Sequence, residues 1–326
     1  MPSSADTAAT ELPTTLAGRR CLVLGGAGFL GRALCRALVA AEAEVTAFGR
    51  QSAAPAGLAD AAHWLGGAFD DSDAVARAVA GQEIVFHLIG PRAPAESNRD
   101  PAEDARQSIL PTLGLLDAAR AAGVGRIVFA SSGGTVYAPD AAMPAAETAP
   151  TEPITAYGIA KLAIEKYLAL YRRLHGLDFV ALRIANAYGP GQLPGTAQGV
   201  VATLLDRALR GLPAEIWGDG SVVRDFVHVD DVTRAFIAAA LYRGPVTVMN
   251  AGTGAGRSIR SVAEDAARLA GGAPQIRYRA GRPADMPVSV LDSALMRRET
   301  GWAPQVDWDE GLADTARWLK SARGAG

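Results

Sequence analysis

Tyr157 and Lys161 stand four residues apart in Tyr-Gly-Ile-Ala-Lys, a spacing that stacks both side chains on one face of a helix. A free phenol ionises at about pH 10 and is a poor base at neutral pH. An ammonium group one turn away favours the phenolate and makes Tyr157 a proton shuttle. The string Tyr-x-x-x-Lys is common in helices, so its meaning depends on its surroundings. Upstream, Gly25-Gly-Ala-Gly28-Phe29-Leu30-Gly31 closes one apolar run and opens a helical one. In that context Gly25 permits a tight turn, Gly28 lets backbone approach a pyrophosphate, and Gly31 lets the helix pack close to the sheet. The helix amides then face the phosphates. A dinucleotide site is predicted.

The second strand ends Phe48-Gly49-Arg50 and lacks the Asp or Glu that would bind the adenosine ribose. Arg50 could stack on adenine or pair with a 2′-phosphate, or it is simply a solvent-exposed arginine. NAD is expected, with NADP left open. Cys21 and Cys35 offer no disulfide framework and read as small buried hydrophobes. His63, His87, His175 and His228 are scattered; His87 and His228 lie in apolar runs and read as core histidines. No metal site is expected.

The elements that position these groups follow from periodicity. CLVLGG, VTAFGR, EIVFHLIG, RIVFASS and FVALRIANAYG read as strands. Between them FLGRALCRALVAA, DDSDAVARAVAG, AEDARQSILPTLGLLDAARAAG and TAYGIAKLAIEKYLALYRRLHG read as helices. Apolar strands alternating with such helices predict an α/β fold, a parallel sheet covered on both faces. Residues 1–16 read as a mobile tail and 17–188 as the dinucleotide-binding domain. Beyond Gly189 the chain is rich in Pro and Gly, so 189–326 reads as a smaller substrate-binding lobe. The chain is expected to rejoin the first domain over about 226–252, because VTVMNAG looks like a core strand.

Composition narrows the class. In 326 residues, 49% are apolar and 20% charged, which excludes a disordered chain. A net charge of −2 predicts no attraction to nucleic acid or to an anionic membrane. No apolar run approaches a membrane span, and the N-terminus lacks the basic start and apolar stretch of a secretory signal, so a cytoplasmic protein is expected.

Taken in order, GGAGFLG (25–31), VFHLIG (85–90), FASSGGTVY (129–137), YGIAK (157–161), RIANAYGPGQ (183–192), WGDGSVVRDFVHVDDV (217–232), NAGTG (250–254) and GRPAD (281–285) span most of residues 19–319. The chain resembles an extended short-chain dehydrogenase/reductase of the NAD-dependent epimerase/dehydratase family, similar to epimerases of UDP-glucose and UDP-N-acetylglucosamine. The resemblance implies a Rossmann-type doubly wound parallel sheet with a smaller C-terminal lobe. It implies cofactor contacts at Gly25, Gly28, Phe29, Leu30, Gly31, Arg50, Leu88, Tyr157 and Lys161. It makes Tyr157 and Lys161 the catalytic pair and Asn186 a substrate contact. Arg224 and Arg282 match arginines that hold a diphosphate, a role suited to a forked guanidinium. Trp217 matches a residue against the nucleotide base, or else belongs to the lobe core.

Three positions depart from the family. Gly133 stands where the catalytic Ser or Thr is usual, leaving Ser132 and Thr135 to offer hydroxyls, with Thr135 preferred. Ser108 replaces an asparagine beneath the cofactor, and Ala68 an aspartate near the adenine. Dehydratases and decarboxylases of the family carry acids just before the Val-Tyr pair, where this chain has Gly134-Thr135, and the 3,5-epimerases use a cysteine absent here. The expectation is therefore 4-epimerisation of a UDP-hexose. The alternatives are a nucleotide-sugar ketoreductase and a non-catalytic nucleotide-binding regulator. Ser289 matches the residue bordering the sugar C2 substituent, where a small side chain leaves room for an N-acetyl group; a plain strand residue is the alternative. The resemblance also implies a homodimer, joined through a four-helix bundle built from 104–122 and 157–175.

Overall fold

The computed structural model describes residues 15–55, 57–58, 62–90, 94–195, 199–281 and 286–324. The chain begins with β1 (Arg20–Leu24), α1 (Phe29–Ala40), β2 (Glu44–Gly49), β3 (His63–Gly66), α2 (Ser72–Val79), β4 (Ile84–His87) and α3 (Pro94–Ser97). It continues through α4 (Pro101–Ala121), β5 (Arg126–Ser132), α5 (Ala156–His175), β6 (Phe179–Ile184), β7 (Asn186–Tyr188), α6 (Val200–Leu209) and β8 (Ala214–Trp217). The last elements are β9 (Val223–His228), α7 (Val229–Leu241), β10 (Val248–Ala251), β11 (Gly256–Ser258), α8 (Ile259–Leu269), β12 (Ile276–Arg279), β13 (Val288–Ser289), α9 (Ala294–Thr300) and α10 (Trp308–Gly324).

Seven strands form a parallel sheet in the order β10-β6-β5-β4-β1-β2-β3. Side chains alternate between its faces, which is why the strands are almost wholly apolar. Cys21 and Val23 point to one face, where Leu34 and Leu38 of α1 meet Val232 and Phe236 of α7. Leu22 and Leu24 point to the other, beneath Val75 of α2, Leu115 and Leu116 of α4, and Ile164 and Leu168 of α5. Each such fully buried side chain stabilises the fold by about 1.5–3 kcal/mol. The helices start where short polar residues cap them: Asp71 on α2, Asp100 on α4 and Thr155 on α5 each accept a backbone N–H. Gly176, at φ +71°, ends α5.

The order reverses between β1 and β4, and at that switch point the ends of parallel strands open a ligand crevice. The rest of the chain covers it. β9 pairs with β7, β11 and β13, while β8 pairs with β12. Tyr188, Phe226, Trp308 and Leu312 centre a separate core with α6 and α8.

Four details differ from the sequence reading. Leu16, assigned to the tail, is 3% exposed and belongs to the core beside Val45 and Leu58. β3 is an additional strand, a half-exposed edge strand without an apolar run. The single run FVALRIANAYG is two strands, because at Ala185 the chain leaves the central sheet and β7 joins β9. The return to the central sheet begins with α7 and is completed by β10 beside β6, whereas β9 belongs to the lobe.

Candidate active site

The glycine turn sits at the switch point. Gly25 adopts φ +86°, and both its amide and that of Gly26 bond Phe48 O at the end of β2. A Cβ on Gly31 would lie 2.1 Å from Gly25 O, and one on Gly26 would lie 2.7 Å from Ala47 Cβ. Only glycine allows α1 to start this close to the sheet. Gly28 caps α1 without any side-chain acceptor and is exposed, so the first amides of α1 face outward. That is a cradle for an anionic group. Leu88 continues β4 beside it, its amide bonded to Leu24 O. Phe29 borders the same opening opposite Gly191.

Across the crevice, α5 carries Tyr157 and Lys161. Gly158 brings the helix in, since a Cβ there would lie 2.3 Å from Thr135 O. Lys161 is 3% exposed; its Nζ donates to Ala130 O at 2.6 Å and lies 5.7 Å from the centre of the Tyr157 ring. Burial pushes its ammonium down to about 7, against the pull of Glu165 and Asp104. A lysine cation beside a phenol favours its ionised form. Gly90 leaves room for this lysine, because a Cβ there would lie 2.8 Å from Nζ.

The third wall comes from the lobe. A Cβ on Gly134 would lie 3.6 Å from Asn186 Oδ1 and 3.8 Å from Ser289 Oγ, so these two polar groups border the loop after β5. Ser289 is in register with Arg224 on β9. Arg224 donates to Val223 O and to Met286 O at 2.7 Å. A glycine turn, a helix turn pairing half-buried Tyr157 with buried Lys161, and a polar lobe wall thus converge on one crevice.

The sequence profile described as the NAD dependent epimerase/dehydratase family matches residues 21–252. The chain belongs to that family. It is 36% identical over 312 residues to the UDP-glucose 4-epimerase of Mycolicibacterium smegmatis, covering 93% of this chain and 99% of that one. A Thermotoga maritima UDP-glucose 4-epimerase crystallised with UDP-glucose superposes with a TM-score of 0.88 at 35% identity. The Thermus thermophilus UDP-glucose 4-epimerase in complex with NAD gives 0.84, also at 35%. Both structures cover 93% of this chain, which covers 99% of each of them.

Within this family fold, the other expected residues fall as follows. Thr135 Oγ1 is buried with no hydrogen-bond partner among the described residues, while Ser132 is half-buried at the end of β5. Gly133, at the usual hydroxyl position, is packed against Leu291, whose Cδ1 would lie 2.4 Å from a Cβ there. Trp217 is 44% exposed at the end of β8, so it is not lobe core. Arg50 is exposed at the end of β2. Arg282, with Asp285, lies outside the described residues. Ser108 is buried, its hydroxyl turned back to Asp104 O.

His87 and His228 are both buried. His87 meets Thr112 Oγ1 at 3.0 Å, and burial with the Lys161 charge lowers its pKa to about 3. His228 caps α7 through its Nδ1. Leu291, Glu165 and Arg183 complete the surroundings of the site. Leu291 reaches Gly133 from a distant part of the chain and left no local signal. Glu165 and Arg183 did leave one: a carboxylate one turn beyond Lys161, and a lone charge inside the apolar run FVALRI.

Proposed function

We propose that this protein is a nucleotide-sugar 4-epimerase that interconverts UDP-hexoses, with NAD as its bound cofactor. The observation that carries the reading is an intact Tyr157–Lys161 turn at the cofactor crevice of a chain similar along 93% of its length to UDP-glucose 4-epimerases. In this reading the outward amides at Gly28 and the Gly31 approach would hold the pyrophosphate of the cofactor, and Lys161 would hold its nicotinamide ribose. Bound there, NAD would supply reversible hydride transfer at the sugar C4.

The protein's own groups do the rest. Tyr157, as phenolate, accepts the C4 hydroxyl proton and later gives it back. Lys161 stabilises the phenolate, and Thr135 or Ser132 offers a hydroxyl to the C4 oxygen. Arg224 and Arg282 hold the diphosphate while the sugar turns, with Asn186 beside the sugar and Trp217 against the base. Ser289, small and next to Gly134, leaves space at C2 for an N-acetyl group.

Assembly is part of the proposal. Leu110 on α4 and Tyr167, Leu170 and Leu174 on α5 form an exposed apolar stripe, with Leu110 and Leu174 about 60% exposed. Two copies pairing these faces make a four-helix bundle. Among the described residues no helix is long and apolar enough to cross a membrane. Buried free thiols at Cys21 and Cys35, with pKa values raised to about 12, suit a cytoplasmic enzyme.

The test is a panel of UDP- and GDP-sugars incubated with the holoenzyme, with product stereochemistry read by NMR. C4-inverted product without net use of reduced cofactor supports the epimerase. Product formed only with stoichiometric reduced cofactor makes the protein a ketoreductase, and binding without turnover makes it a regulator.

A further inference from the structure

Beneath the Tyr–Lys turn lies a buried ion pair that the mechanism above does not use. Glu165 is 4% exposed and Arg183 4%. The guanidinium meets the carboxylate through two nitrogens: Nη2 to Oε2 at 2.7 Å, and Nε to Oε1 at 3.1 Å. Ser131 donates its hydroxyl to the same carboxylate. Lys161 and Glu165, one turn apart on α5, therefore dock on consecutive residues of β5: Lys161 on Ala130 O and Glu165 on Ser131 Oγ. On its far side Arg183 lies over the Tyr137 ring, 5.0 Å from its centre, and Tyr137 bonds Asn250 Oδ1 at 2.6 Å. The Glu165–Arg183 pair thus ties together the catalytic turn of α5 and both ends of the Ser132–Thr135 loop.

We propose that Glu165 is a positioning residue that holds α5 in register on β5 and, balanced by Arg183, sets the charge felt by Lys161. The proposal rests on the catalytic reading of Tyr157 and Lys161. A Ser131–Glu165–Arg183 cluster buried to this degree serves packing poorly, because apolar groups of similar volume are often as stable or more so. Its position one turn from Lys161 gives it a use. The groups facing the Lys161 ammonium are Tyr157 and Glu165 on α5, Asp104 on α4, His87 and Gly90 at the end of β4, and Phe129 and Ala130 on β5. His87 is neutral, so Glu165 and Asp104 supply the negative charge. Arg183 offsets the share of Glu165.

The consequence is a pair of opposite shifts. Lys161 assists Tyr157 only while charged, so activity is lost on the alkaline side as pH rises through the Lys161 titration. Glu165→Gln leaves Arg183 unbalanced and moves that limb to lower pH by about one unit. Arg183→Met leaves Glu165 unbalanced and moves it up by a similar amount. Glu165→Gln/Arg183→Met restores the balance of charge without the tie. Its limb lies near wild type, its kcat falls at least ~10-fold through misplaced geometry, and KM changes little.

The experiment records pH–rate profiles of the NAD-bound enzyme and its three variants with UDP-glucose. It also records ultraviolet titrations of the tyrosinate, each against the same protein carrying Tyr157→Phe. The titration reads Tyr157 whether or not the sugar turns over. A wild type inactive on every UDP-sugar therefore overturns the epimerase reading alone. Should Glu165→Gln not fold, Arg183→Met against the double variant isolates the same charge, and the limb of Arg183→Met must lie higher. Limbs and tyrosinate titrations that coincide in all variants overturn the proposal, as does a double variant with wild-type kcat.

Discussion

Gly133→Ser restores a hydroxyl at the position where the family usually has one, and the structure predicts that it harms the enzyme. A Cβ at 133 would lie 2.4, 2.8 and 3.1 Å from Cδ1, Cδ2 and Cγ of Leu291. Ordinary carbon contacts lie at about 3.5–4.0 Å, so the two must separate by about 1 Å. Leu291 cannot step aside freely: it is 1% exposed, packed among Val136, Tyr137 and Ala145, and its amide bonds Asp225. Overpacking of this kind costs about 1–3 kcal/mol. An ångström of displacement in a loop that lines the reaction is worth about a hundredfold in rate. Leu291→Ala alone opens a cavity and costs about 2–5 kcal/mol. In the double variant the serine occupies part of that space, so the two losses are smaller together than their sum by about 0.5–3 kcal/mol. Urea unfolding at constant m-value and initial epimerisation rates measure both quantities. A Gly133→Ser variant with the wild-type midpoint and rate contradicts a clash with Leu291, as do two losses that simply add.

Four further outcomes follow from the same geometry. Tyr157→Phe keeps the ring but removes the proton carrier, so kcat falls at least ~100-fold while calorimetry shows UDP-sugar affinity retained. Ser289→Tyr fills the space beside Gly134 and Asn186, so turnover of UDP-N-acetylglucosamine falls and that of UDP-glucose is spared; equal responses remove the gate. Buried His87 stays neutral in the folded state down to about pH 3, whereas the unfolded chain takes up its proton near 6.5. Stability is thus lost as pH falls below about 6.5, at up to about 1.4 kcal/mol per unit, and a His87→Gln variant has a shallower acid slope in denaturation scans. Light scattering at micromolar concentration gives the mass of two chains, and Leu170→Asp with Leu174→Asp gives one; a wild-type monomer contradicts the bundle.

The parts of the fold legible in sequence were those whose signal is local. Leu30, Leu34 and Leu38 recur at helical spacing, and CLVL and IVF are apolar throughout because both faces of the central sheet are covered. The glycine turn was legible because three glycines answer three separate steric demands, two of them visible as a positive φ at Gly25 and a 2.1 Å approach at Gly31. What stayed hidden depends on tertiary pairing. β3 is an edge strand with one partner and half-exposed side chains, so no run of apolar residues marks it. Ala185 does not announce that the chain changes sheets there. Leu16 looks like part of a polar tail until Val45 and Leu58 cover it. At the site, Tyr157 and Lys161 were readable from spacing, but the filling of Gly133 by Leu291 was not, since contacts across the chain leave no periodicity. The Glu165–Arg183 pair was half legible, as a charge in an apolar strand that had to have a partner.

In the proposed reaction C4 inverts as one hydride moves out and back within a single bound state, with Tyr157 moving the proton. UDP-glucose carrying deuterium at C4 tests it directly, with the holoenzyme in ordinary water and product followed by NMR. The expected product is UDP-galactose that keeps its deuterium at C4, formed without accumulation of reduced cofactor in solution. Loss of deuterium to solvent, or its appearance in a free cofactor pool, would contradict it.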